Sequence, residues 1–437
     1  MNAMNETINT FHTNSIEVLE NKHEKKNHKN RWNKKNNMRR YLIFINFIFL
    51  GFINHIGFYL IITSSQQFAT KLGNESLIAC YPLALIVFSS ITRLINSKYC
   101  INLSYYIRII LLSVQFFIGY ISFFSILHFK NIIRNNNKSF WLSMIPTIMV
   151  GTGESFGEVT LLGYAGTFKG NYISGWNIGA ALAGVCGTFL SLLFKKLNTN
   201  LQYVYLFLSP IAVLYLFIFM LTNLCGAKEK KNYNKKKFYK MHENKIKDVS
   251  NEEIENKTLN IKNFIEGFKS ANRYIINLAL INFLQYTICY CFCERTNKYK
   301  FINSKGTIFE KAQYETLLLF FEFGIVISNS CLFIIKHIKY IEMFTYLQII
   351  NFIIWFIESI FGFVTNQWIC YIHLLFVGIC GGSGNIGFLY NMFNSKKISP
   401  RIQELCLNIC EFFMDWGILI SSILSIIFDN TFMKTYR

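Results

Sequence analysis

The stretch GTGESFGEVTLLGYAGTF, residues 151–168, holds two carboxylates, Glu154 and Glu158, with no basic residue until Lys169. It continues the apolar run LSMIPTIMV, so both acids fall inside what reads as a membrane helix. Residues four apart share one helix face. An acid at the centre of a membrane span costs about 2.5–3.5 kcal/mol to insert, so it needs a partner, water or a proton. Gly151, Gly153, Gly157 and Gly163 along the same segment let a neighbouring backbone come close. The stretch is therefore expected to face the interior of a helix bundle and border a polar cavity. Glu158 is the stronger candidate for binding a proton or a cationic group, and Glu154 is its local partner. The competing reading is structural: a buried Glu held by Ser, Thr or Arg to fix helix packing.

Other intramembrane polar residues are candidates of the same kind. Asn54 and His55 lie midway along the first apolar run, and His55 either titrates near physiological pH or sits neutral and satisfied. Glu322, in LLLFFEFGIVIS, is read as a cavity residue. Glu358, in FIIWFIESIFGF, fits either reading. Glu411 and Asp415 are again four apart and either pair across to another helix or mark its wet end. Arg93 and Arg108 flank a short turn and are expected to snorkel. The glycine-dense stretches ISGWNIGAALAGVCG and VGICGGSGNIG suit close packing or local unwinding; the second lacks the Lys-Ser/Thr of a phosphate loop. No nucleophile-base pair and no zinc-type histidine pair is seen, so neither an enzyme nor a resident metal or cofactor is expected.

These side chains need membrane helices to position them. The chain has 437 residues, 52% hydrophobic and only 16% charged, where a soluble chain carries about a quarter charged. Apolar runs of about 20 residues recur, each long enough to cross a bilayer core. The fold class is an all-α polytopic membrane protein with about eleven transmembrane helices. The spans fall near 41–63, 76–96, 104–128, 140–165, 171–194, 201–225, 271–293, 314–335, 341–363, 366–392 and 402–428. They divide the chain into a basic cytosolic tail (1–40), a first bundle of six spans (41–225), a basic cytosolic loop (226–270), a second bundle of about five (271–428) and a short tail (429–437). Two bundles joined by a long loop are the layout of many secondary transporters. No internal repeat stands out.

The net charge of +20 sits mostly in residues 22–40 and 228–247. Such segments mark the cytosolic side and suit anionic lipid headgroups rather than nucleic acid. The loops at 336–340 and 393–401 agree with a cytosolic N-terminus, whereas the Lys and Arg at 129–139 and 294–313 do not. The first apolar run is too long for a cleavable signal and reads as a signal-anchor. Asn74 opens a glycosylation sequon in the first luminal loop. The twelve cysteines, including Cys289, Cys291 and Cys293 at a helix end, read as small apolar helix residues.

Several motifs resemble the battenin family. GEVTLLGYAGTFKGNYISGW at 157–176 is similar to the family's GEVTFL, aromatic turn and ISWW-like helix start. FIFLGFINH at 47–55 resembles its first helix, and GICGGSGNIGFLYNM at 378–392 its late glycine-rich helix. Residues 404–420 weakly resemble its last span. The resemblance implies a major-facilitator-like protein of an endo-lysosomal or vacuolar membrane, contributing to organelle pH homeostasis. The solute implied is a basic amino acid or a phospholipid breakdown product such as a glycerophosphodiester, with transport linked to protons. Gly157, Glu158, Val159, Thr160, Trp176 and Asn54 match family positions, and Arg93 and Arg108 fall where the family is basic. The chain departs at His55, the second of an Asn pair in the family, and at Gln285, where the family has Glu. It departs again at Glu322 (a family Gln), Asn329 (a basic residue) and Val377 (an acid), and Glu154 has no counterpart. The C-terminal KTYR lacks a prenylation box. The function expected is a solute carrier that rocks two bundles around a cavity lined by Asn54, Glu158 and Glu322. The alternative is a non-transporting protein that organises vacuolar trafficking through its basic segments.

Overall fold

The computed structural model describes residues 37–65, 67–74, 80–100, 103–129, 136–168, 172–197, 202–244, 261–293, 313–335, 340–395 and 402–430, with a few single residues between them. Most of the N-terminal tail, residues 431–437, and Glu75 and Ser76 of the sequon lie outside the described residues.

Regular structure among the described residues is helical throughout. Lipid offers no hydrogen-bond partner, so an apolar segment must satisfy its backbone internally. The helices are α1 (Asn37–Ser65), α2 (Cys80–Ile95), α3 (Tyr105–His128), α4 (Asn136–Ala165), α5 (Tyr172–Lys196) and α6 (Gln202–Asn244). They continue with α7 (Ile261–Thr287), α8 (Gln313–Ser330), α9 (Met343–Phe361), α10 (Gln367–Phe393) and α11 (Gln403–Asn430). Eight are long and apolar enough to cross a membrane. The other three are α2, which is shorter, and α4 and α8, which each carry two carboxylates. The expected span near 201–225 differs most: α6 stays helical to Asn244, so the first part of the expected basic loop is a helical extension.

Local chemistry sets several ends. Ser104 caps α3 by accepting from the Ile107 amide at 3.4 Å, and Asn366 caps α10 by accepting from the Trp368 amide at 3.0 Å. Gly362 ends α9 at φ 56°, a left-handed conformation suited to glycine, and its amide donates to the Glu358 carbonyl at 2.8 Å. The Glu358 carboxylate accepts from the Val364 amide at 2.9 Å, which places this buried acid at a helix end and not in a cavity. Hydroxyls inside helices bond back one turn, as Ser113 does to the Ile109 carbonyl at 2.9 Å. Ile107, Leu111, Val114 and Ile118 form an exposed apolar stripe along α3, the pattern of a lipid-facing helix.

Helix pairing repeats every six helices, although no repeat is visible in the sequence. In the first half α1 packs on α5, α2 on α4, and α3 on α6 and α4. In the second half α7 packs on α11, α8 on α10, and α9 on α10. Glycines set the closest crossings. A methyl on Gly51 or Gly179 would strike the backbone of α5 or α1, and one on Gly324 or Gly378 would strike α10 or α8. Gly151 and Gly417 serve the α4–α2 and α11–α7 crossings in the same way. The stretch 378–384 is therefore helical and closely packed, with no unwinding. Two seams join the halves, α2 on α11 and α5 on α8, and the six-helix repeat exchanges one for the other.

Overpacking a closed crossing costs about 1–3 kcal/mol, and contact with backbone leaves little room to relax. Gly324→Val and Gly179→Val should each lower the melting temperature of the detergent-purified protein. Gly166→Ala, whose methyl would meet nothing nearer than 3.4 Å, should leave it unchanged.

Candidate functional site

A polar cavity of about 150 Å³ lies between the two halves. One wall comes from α1, α2, α4 and α11 and carries His55, Arg93, Glu154, Glu158, Glu411 and Asp415. The other carries carboxamides: Asn177, Asn282, Gln285, Asn329 and Asn385.

Arg93 is the hub of the charged wall and is only 4% exposed. Its Nε donates to Asp415 Oδ2 at 2.7 Å and its Nη2 to Asp415 Oδ1 at 3.2 Å. Nη2 also donates to Glu158 Oε2 at 2.9 Å, and Nη1 lies 3.7 Å from Glu411 Oε2. Ser90 adds a hydrogen bond to Asp415 Oδ2 at 3.3 Å. Because Glu158 stands on α4 and Asp415 on α11, one guanidinium ties the first half to the second. Arg93 therefore does not snorkel as expected. The α2–α11 seam holds it inside, where a planar fork with five donors suits several carboxylates at once. Arg108 is buried too; it donates to the Leu103 carbonyl at 3.1 Å and lies 4.9 Å over the Tyr105 ring.

Glu154 is more than the neighbour of Glu158. Its Oε1 lies 3.0 Å from His55 Nε2, and Glu158 Oε1 lies 4.0 Å from the same nitrogen. His55 Nδ1 in turn meets the Gly51 carbonyl at 2.9 Å. The ligand atoms of His55, Glu154 and Glu158 all lie within 4.8 Å of one another, close enough to share a cation.

Two expected cavity residues, Asn54 and Glu322, are placed differently. Asn54 is fully buried, donates to the Glu154 backbone carbonyl at 2.8 Å and accepts from Tyr215 at 3.1 Å. It ties α1 to α4 and α6 and does not line the cavity, because a one-residue step turns its side chain about 100° from His55. Glu322 lies in the α5–α8 seam, against Gly184, with its Oε2 buried and unpartnered. Beside it, Asn329 donates to the Asn177 carbonyl at 3.1 Å. Gln285 does line the cavity: its Nε2 donates to Asn282 Oδ1 at 2.8 Å and its Oε1 has no partner. Cys289, Cys291 and Cys293 are buried, in and beside the π-helical turn Ile288–Phe292.

Among the site residues, Arg93, Glu411 and Asp415 carry more of the wall than their sequence context indicated. The four-residue spacing of Glu411 and Asp415, and the place of Arg93 at a basic position of the resembled family, were the available signals. Removing one partner from a buried ion cluster costs about 3–5 kcal/mol, because the rest stay buried and uncompensated. Arg93→Ala should therefore melt well below the wild type, and Arg93→Ala with Asp415→Ala should recover part of the loss. A double-mutant cycle read by thermal unfolding measures that coupling.

Comparison with known proteins agrees with this architecture. A family model described as CLN3 protein matches residues 45–435. The chain is 25% identical over 412 residues to Battenin of Dictyostelium discoideum, covering 90% of this chain and 95% of that one. It is 22% identical over 313 residues to Protein BTN1 of Kluyveromyces lactis, covering 71% of this chain and 77% of that one. Among solved structures, a D-xylose-proton symporter superposes with a TM-score of 0.57 at 11% identity, covering 90% of each chain. That likeness places the fold in the major-facilitator class.

Proposed function

The chain belongs to the CLN3 protein family, and on that premise we propose that it is a proton-linked secondary transporter of an acidic organelle, carrying a small cationic solute. The observation that supports this reading is the charged wall of the cavity between the two halves. Glu154, Glu158, Glu411 and Asp415 face one Arg93, which Glu158 and Asp415 already engage. A surplus of buried carboxylates is costly unless cations join it. Of the two solute classes the family resemblance implies, a basic amino acid brings the missing charge. A glycerophosphodiester anion would bring its phosphate to a wall of carboxylates.

In the cycle we propose, Glu158 exchanges Arg93 for the cationic group of the solute. Loosening of the Arg93 cluster frees α11 from α2, and the halves rock about the α5–α8 seam. The carboxamide wall orients the rest of the solute. Glu322 carries the proton, since an unpartnered carboxyl between helices is tolerated best in its neutral form. In this reading the basic segments of the chain lie on the cytosolic side, where their charge suits anionic lipid.

The test is uptake of radiolabelled lysine or arginine into liposomes containing the purified chain. Glu158→Gln should cut uptake by about ten-fold or more, as expected for the loss of one charged contact, while the protein, melting lower for the lost partner of Arg93, still elutes as the wild type does. Deletion within 228–244 should leave uptake intact. The second reading, a trafficking organiser acting through its basic segments, predicts the reverse pattern in cells. Full uptake by Glu158→Gln at every pH would sink the proposal.

A further inference from the structure

The junction of α1 and α4 has a geometry that the Arg93 network does not explain. A carbonyl oxygen only accepts, so the contact from His55 Nδ1 to the Gly51 carbonyl puts a hydrogen on Nδ1. In the neutral ring, Nε2 is then a bare lone pair. It points at two further acceptors, Glu154 Oε1 at 3.0 Å and Glu158 Oε1 at 4.0 Å. Only a positive centre stabilises three converging acceptors, and the candidates are a proton, an ammonium group and a metal ion.

The distances separate them. A proton bridges the 3.0 Å edge and leaves Glu158 Oε1 outside at 4.0 Å. An ammonium that donates to three acceptors at about 2.8 Å in tetrahedral directions needs them roughly 4.6 Å apart, too wide for the short edge. A divalent metal with ligands at about 2.0–2.2 Å spans edges from roughly 3.0 Å for ligands at right angles to roughly 4.2 Å for opposed ones. Both edges from His55 fall in that interval, and the third, between the two carboxylates, is within 4.8 Å.

Three further features agree. An imidazole Nδ1–H bonded to a backbone carbonyl is the arrangement that orients a metal-ligating histidine. Arg93 holds Glu158 through Oε2, which leaves Oε1 turned toward His55. All three residues line the cavity, so water can complete the coordination sphere. We propose that His55, Glu154 and Glu158 form a binding site for a divalent first-row metal ion of the kind served by imidazole and carboxylate, such as Mn²⁺ or Zn²⁺.

The ligands bind as a neutral imidazole and two carboxylates, so metal uptake displaces protons and weakens as pH falls. Around the site, Tyr59 stands on α1, Arg93 on α2, Tyr286 on α7, Glu322 on α8, and Glu411 and Asp415 on α11. Of these, Arg93 opposes a cation, and the three acids favour one. The inference goes beyond the transport reading, because equilibrium binding is measured without transport and either can fail alone.

Mn²⁺ is the probe of choice, because thiols prefer softer ions and the chain has twelve cysteines. The full-length protein in detergent is stripped with chelator, titrated with Mn²⁺ near neutral pH and followed by electron paramagnetic resonance. One Mn²⁺ per chain is expected, with an imidazole ¹⁴N coupling in the spin-echo modulation. His55→Gln and Glu154→Gln should each weaken binding by at least about ten-fold. Glu342→Gln, at an exposed ion pair with Arg273, should not. If a variant fails to fold, the ¹⁴N coupling of the wild type still decides. Absence of a saturable site, or bound Mn²⁺ without the nitrogen coupling, overturns the proposal.

Discussion

One guanidinium joins the two halves of this protein. Arg93 is held by Asp415 and Glu411 from α11 and by Glu158 from α4, and it is buried where unpaired charge is expensive. Such a cluster is poor as glue, because desolvation cancels much of its attraction. Its strength is its dependence on geometry: it is stable when every partner is in place and costly when one leaves. That suits the opening and closing of this seam in the proposed cycle. The other features of the cavity wall follow from it, including the single Glu158 oxygen left for His55.

The glycine crossings account for why the seam, and not the interior of each half, would yield. α1 and α5, α2 and α4, α7 and α11, and α8 and α10 meet backbone to backbone, where no side chain can adjust. Each half is thus a stiff unit. The two seams between them occupy equivalent places in the six-helix repeat but differ in chemistry. The α2–α11 seam is ionic, whereas the α5–α8 seam places the Glu322 carboxyl beside Gly184 and has a side chain to backbone hydrogen bond from Asn329 to Asn177.

Much of this was legible in the sequence. Apolar runs locate the helices closely, because span length is fixed by the bilayer and charge is excluded from it. The pairing of Glu154 with Glu158 on one face follows from spacing alone. What escaped was rotation. A membrane helix is apolar on every side, so hydropathy does not say which side meets protein. Asn54 and His55 are adjacent, yet one ties α1 to α4 and α6 and the other faces the cavity. Arg93 was misread because its partners lie 65 and 322 residues away along the chain. Glu322 was read as a cavity residue, but its helix turns it into a seam. The basic stretch after residue 226 was read as a loop because its composition is polar, although Lys and Glu are good helix formers.

The split of the charged wall between the halves has an electrical consequence. Glu411 and Asp415 ride on α11, while Arg93, Glu154, Glu158 and His55 ride on helices of the first half. A relative tilt of the halves would carry these charges through the transmembrane field, whatever the charge of the cargo. A full elementary charge crossing the membrane is worth about 2.3 kcal/mol per 100 mV, and a fraction of that per charge suffices to bias a cycle. The membrane potential would thus set how long the chain dwells in each conformation, and a transient current without net transport would be its signature.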